Sequence, residues 1–194
     1  MGRQDGAVEP EDAERGADEA GRDAAALAEV RGVLAEAVAR LQAAGVPDEP
    51  LAEFVPARRV LGVTRRSRLV PLGRVWRLGV FLLDHEARLY AAGATTRAVP
   101  PGHPQYVAAS QEQRREYRAA AYRGHFAPGE TVNHSARPLE LAAATLREAT
   151  GPLLLDDGRA LVRWSPGLAG TSAVPFRPYL EERVELAVHP PEGA

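Results

Sequence analysis

The sequence predicts an α+β fold: an antiparallel sheet, made of a meander plus a hairpin, packed by three to four helices. Three observations carry that expectation. Residues 24 to 44 repeat apolar side chains at helical spacing. Residues 58 to 97 change to short β-rich runs punctuated by proline and glycine. Residues 153 to 164 place two apolar runs around Asp157-Gly158. With 194 residues, the chain is long enough for one ordinary core and one domain.

Residues 1 to 23 carry eight acids against three arginines, a net charge of −5, with Val8 as the single large apolar side chain after Met1. Such a stretch buries too little to offset its ordering entropy, so a disordered acidic tail is expected, with one domain over residues 24 to 194. The whole chain carries −2, so that domain carries +3.

Leu27, Val30, Leu34, Val38 and Leu41 recur at three- and four-residue steps and form one helical stripe. Glu36 and Arg40 are spaced for an i, i+4 pair on the opposite face, and Gly45 with Pro47 supply the stop. The stripe suits packing on the domain's own sheet; dimerisation through this helix is the alternative.

Three or four strands are expected over 58 to 97, with a turn at Pro71 to Gly73 and a hairpin turn at Asp84, His85 and Glu86. Val80 to Leu83 are all apolar, which predicts a central strand covered on both faces. Residues 105 to 123 read as a helix ended by Gly124, and Thr131 to His134 as a short extended segment. Pro138 suits the first turn of a further helix bearing Leu139, Ala142, Ala143 and Leu146. The piece 165 to 175 reads as loop, and 178 to 188 fits helix better than strand.

Composition removes several chemistries. No cysteine is present, so this sequence holds no thiolate nucleophile, disulfide or zinc-thiolate site. All 24 basic residues are arginine, so a phosphate loop of the GxxxxGK[ST] kind and any serine–lysine dyad are excluded. The nearest approach to a GxSxG elbow, around Ser165, has Arg163 for the first glycine and Pro166 where a backbone N–H is needed. The longest apolar run is far short of a membrane span, and a cytoplasmic protein with no cofactor and no bound metal is expected. His125, Glu130 and His134 lie within ten residues and are the candidate catalytic set for a hydrolase, although H-x4-E-x3-H matches no established metal template.

Residues 57 to 79 hold Arg58, Arg59, Arg65, Arg66, Arg68, Arg74 and Arg77 and no acid. Strand ends in a meander alternate between two rims, so these cannot all converge. The expected cluster is Arg65, Arg66 and Arg68, joined by Arg77, as a binding site for phosphate or carboxylate. A second group, Arg114, Arg115, Arg118 and Arg123, interleaves with Tyr117 and Tyr122. Glu112 and Glu116 partly neutralise it, so a small anion or acidic partner fits better than nucleic acid.

The stretches FVPARRVLGVTRRSRLVPLGRVWRLGVFLLD, EYRAAAYRGHFAPGETVNH and PYLEERVELAVHPPEGA resemble a small family from high-GC actinobacteria, some of whose members carry a glutaminase label. The resemblance covers residues 24 to 194. It implies an amide-directed hydrolase, and this chain would have to run that reaction without cysteine or a serine–lysine pair. The residues themselves point instead to a non-enzymatic module that binds an anionic ligand through its arginine cluster.

Overall fold

The computed structural model describes residues 10–60, 63–100, 109–164 and 173–191. It has the expected α+β class: four helices, a seven-stranded mixed sheet, a three-stranded antiparallel sheet and a small hairpin. Parts of two expected segments, 105–108 of the second helix and 165–172 of the late loop, lie outside the described residues.

Helix α1 spans Pro10–Ala43. It begins well inside the segment expected to be a disordered tail, whose residues 1–9 lie outside the described ones, and its second half within that segment finds partners. Asp23 is 2% exposed and meets Arg147 at 2.6 Å, and Glu19 meets the same guanidinium at 3.1 Å. The predicted stripe of Leu27, Val30, Leu34, Val38 and Leu41 is buried in the main core against the chain's own elements. Each fully buried leucine there contributes about 1.5 to 3 kcal/mol. Gly45 ends the helix at φ 62°. The Gly45 amide donates to the Gln42 carbonyl and the Val46 amide to the Leu41 carbonyl, a Schellman closure. The expected Glu36–Arg40 pair does not form: Arg40 reaches Glu185 at 2.7 Å and Glu36 receives Arg177 at 3.5 Å, since longer-range partners stand closer.

The large sheet runs β7-β8-β1-β4-β5-β6-β9. Strand β1 (Glu49–Val55) pairs antiparallel with β4 (Arg68–Leu78) and parallel with β8 (Thr131–His134), so the sheet is mixed and one of its joints departs from the expected antiparallel pattern. Pro71 to Gly73 is no turn. β4 passes through it, and the register moves from Leu51↔Gly73 to Ala52↔Pro71, leaving Leu72 as the extra, exposed residue of a bulge. The turn lies instead at Gly79-Val80, where Gly79 takes φ 66° between β4 and β5 (Phe81–Asp84). All four residues of β5 are buried, as expected for a central strand. Beyond the Asp84–Glu86 turn come β6 (Leu89–Ala91) and then β7 (Ala94–Arg97) on the far edge. Strand β9 (Arg137–Pro138) pairs with β6, so Pro138 sits at a sheet edge, where its missing N–H does no harm, and not in a helix. The helix expected there shrinks to α3 (Ala143–Arg147).

This sheet cannot be flat. β8 and β9 stand five strand spacings apart in the order, about 24 Å if extended. Only Ser135 and Ala136 separate them, a reach of about 11 Å. The sheet therefore curls until its ends approach. Leu51, Val75 and Leu82 are buried on the inner face with Tyr90, Ala92 and Ala136 packed against them.

The predicted hairpin forms β10 (Leu153–Asp156) and β11 (Arg159–Arg163), turning at Asp157 (φ 46°) and Gly158 (φ 65°), both left-handed as a type I′ turn requires. It pairs with β12 (Ala173–Pro175) as a separate sheet rather than extending the meander. Helix α4 (Phe176–Val188) closes the core against α1.

Candidate functional site

Helix α2 (Ala109–Arg123) crosses the outer face of the curled sheet on small residues. Ala120 and Ala121 are fully buried against Ala52, Leu69, Ala98 and Val132. Alanine contacts let the helix sit low, so its longer side chains overhang the sheet on either flank. Tyr117 fixes its position, meeting Phe54 edge-on at 4.8 Å and stacking on His134 at 4.4 Å. A cleft opens on each side.

The first cleft, about 760 Å³, lies between the end of α2 and the two-stranded hairpin of β2 (Arg58–Val60) and β3 (Val63–Arg65). Arg58, Arg65, Arg66, Arg68 and Arg123 line it, with His125, Tyr122, Phe126, Val55 and Pro56, and no carboxylate is among these lining residues. Arg58 stands directly opposite Arg65 in the hairpin register, an arrangement of like charges that disfavours pairing. Among the described residues, Arg58, Arg65, Arg66 and Arg68 form no ion pair. Arg123 is the fixed member: its Nε donates to the Ser67 carbonyl at 2.6 Å and its Nη2 to Ser67 Oγ at 2.8 Å. That clamp holds the turn presenting Arg66 and Arg68 against α2. Burial, and then the nearby Arg66 charge, lower the Arg123 pKa, with Glu116 opposing.

The clamp explains the local sequence. A Cβ on Gly124 would run into the Leu69 carbonyl and the Phe126 ring, so glycine lets the helix end touch β4. The left-handed φ of the C-terminal turn then falls on His125, at 63°.

Arg65, Arg66 and Arg68 are thus brought together as expected, and Arg77 is not. Side chains alternate along β4, and Arg77 points to the inner side of the curl, where its Nε and Nη2 donate to Asn133 Oδ1 at 3.1 and 2.6 Å. Asn133 in turn donates to Glu49 at 2.7 Å, so Arg77 ties β4 to β8 and β1. Desolvation lowers its pKa, with Glu49 opposing. Arg74 is also engaged elsewhere, bonded to Asp48 and Glu130. Arg58 and Arg123 complete the cleft; the sequence showed both, but not that β2 folds back on β3 or that α2 ends above Ser67.

His125, Glu130 and His134 do not converge. His125 lines the first cleft. Glu130 closes its own turn by accepting the Ala127 amide at 3.0 Å. His134 lines the second cleft, about 750 Å³, on the other flank of α2. No group of three metal-binding side chains occurs among the described residues. Arg97, Arg114 and Arg118 line that second cleft together with Thr95, Thr96, Thr131, Gln113 and Ser135. His134 is 2% exposed, its Nδ1 lies 3.0 Å from Ser135 Oγ, and burial lowers its pKa. The arginine group of α2 is divided by helical geometry: 114 and 118 are one turn apart on one flank, and 123 lies about 140° further round.

No helix among the described residues is long and apolar enough to cross a membrane. Neither a protein-family model, nor a curated protein, nor a solved structure matches the chain.

Proposed function

We propose that the protein is a binding module for an anionic ligand, one carrying phosphate or carboxylate groups, and that the first cleft is its site. One observation carries the reading: five arginines line a single cleft without a carboxylate, two of them facing each other across a two-stranded hairpin. An isolated hairpin of this size is marginal in water, and opposed guanidinium groups weaken it further. A bound anion removes that repulsion and gains bidentate bonds from planar donors already grouped. The volume falls within the range of small-molecule sites. Tyr122, 42% exposed, and Phe126 offer an apolar wall for the body of an organic anion.

The test is titration of the full chain with tripolyphosphate and with adenosine triphosphate, before and after R65Q, R66Q and R68Q are combined. At about 0.5 to 1 kcal/mol per screened charge, the triple change weakens binding by roughly ten- to a hundredfold and flattens its salt dependence. These side chains are exposed, so stability should stay within about 0.5 kcal/mol of the parent. Unaltered affinity in the triple variant rejects the reading.

A further inference from the structure

We infer that the second cleft is a separate site for a phosphorylated, hydroxyl-rich small molecule, its phosphate held by Arg114 and Arg118 of α2 with Arg97 of β7 and its hydroxyls met by the cleft's own hydroxyl side chains. The two flanks of α2 differ in chemistry. The first cleft sets arginines against aromatic and aliphatic walls; the second sets arginines against Thr96, Thr131 and Ser135, and no aspartate or glutamate is among its described lining residues. Hydroxyls and neutral amides both donate and accept, which suits a polyol and not an apolar ring.

Arg114 and Arg118 stand one helical turn apart, the spacing at which two guanidinium groups reach one oxyanion from the same side. Among the described residues neither forms an ion pair, and the Glu112 carboxylate lies instead against Arg115 at 3.8 Å. His134 is held by Tyr117 and Ser135, and among the described residues its Nε2 has no hydrogen-bond partner. His134 is itself among the residues that line the cleft. Ser135 adopts φ 57°, in the left-handed region, where the chain leaves β8 for β9. Curling the sheet thus sets its hydroxyl beside the imidazole.

The protein contains its own reporters, since of its five histidines His125 lines one cleft and His134 the other. Ribose 5-phosphate, with inorganic phosphate as the minimal probe, is titrated into full-length protein while the histidine ring resonances are followed. The expected result is saturable binding that moves the His134 signals and leaves His125 in place. Combining R114Q and R118Q should weaken it by at least about tenfold, and the R65Q, R66Q and R68Q combination should change it less than about twofold. Both α2 positions are exposed, and the single variants R114Q and R118Q give the same ordering in smaller steps should the pair impair folding. Absence of saturable binding up to roughly 10 mM, a response at His125 instead of His134, or parental affinity in the α2 variants overturns the assignment. Failure of the first-cleft reading shows separately, as nucleotide affinity unaltered by the R65Q, R66Q and R68Q combination, and leaves this result standing.

Discussion

Asp48 sits at the junction between α1 and β1 and gathers charge from two strands beyond it. Its carboxylate accepts Arg74 Nε at 2.5 Å and His85 Nε2 at 2.7 Å, while Gln42 donates to the other ring nitrogen at 3.3 Å. Partial burial raises the pKa of Asp48, but the bonds from Arg74 and His85 outweigh that and hold the carboxyl below its ordinary value. A depressed folded-state pKa stabilises above the unfolded value, near about 3.9, and that contribution is lost as pH falls through the folded value. D48N should therefore be less stable than the parent at pH 7, with the deficit shrinking below about pH 4. Urea unfolding at pH 7 and pH 3 measures both ends, and a deficit that stays constant between them would show that this carboxylate carries no linked stability.

Among the elements, α1 departs furthest from its sequence. Its N-terminal part is acidic and nearly without large apolar side chains, and its contacts with the rest of the chain come at residues 19 to 23. Asp23 packs against Arg147 of α3 in a 2.6 Å charge contact, and Arg22 lies over the Gly158 turn, 3.8 Å from Asp157. A buried carboxylate deprived of the cation beside it is costly. Half-exposed Arg147 moderates that figure, so R147A should lose about 1 to 3 kcal/mol. Amide exchange over residues 15 to 23 should quicken before the rest of the helix does. Equal protection in parent and variant would mean that the start of α1 holds without this contact.

At the level of the whole molecule, the curl of the large sheet decides where everything else goes. It brings β9 round to β6, puts Asn133 and Arg77 inside, and leaves α2 on the outer face with a cleft on each flank. Gly93 marks the closure: a Cβ there would meet the backbone of His134 and Ser135, atoms that cannot swing aside. G93A should cost about 1 to 3 kcal/mol or more as an overpacked contact, read by denaturant unfolding. It should also weaken binding of ribose 5-phosphate, because Ser135 and His134 line the second cleft. A neutral substitution would mean the sheet does not close tightly at this point.

What the sequence determined by itself are the features written in local patterns. The α1 stripe, the buried β5, the Asp84 and Asp157-Gly158 turns, the extended piece at Thr131 and the final helix follow from spacing, turn residues and runs of apolar side chains. Arg65, Arg66 and Arg68 were legible because three neighbours around one turn, from the end of β3 to the start of β4, share a rim. Only the tertiary structure decided which distant cations join them. β1 carries two glutamates and a proline and hides its centrality until β8 and β4 flank it. Pro71 and Gly73 mark a bulge as readily as a turn, and the partner strand selects between them. Arg77 and Arg123 exchange roles because strand alternation sends one inward and helix rotation brings the other over Ser67. Local propensity acts over a few residues, whereas a cleft is set by closure of a sheet whose ends lie far apart along the chain. That closure depends on long-range packing, which no short window of sequence contains.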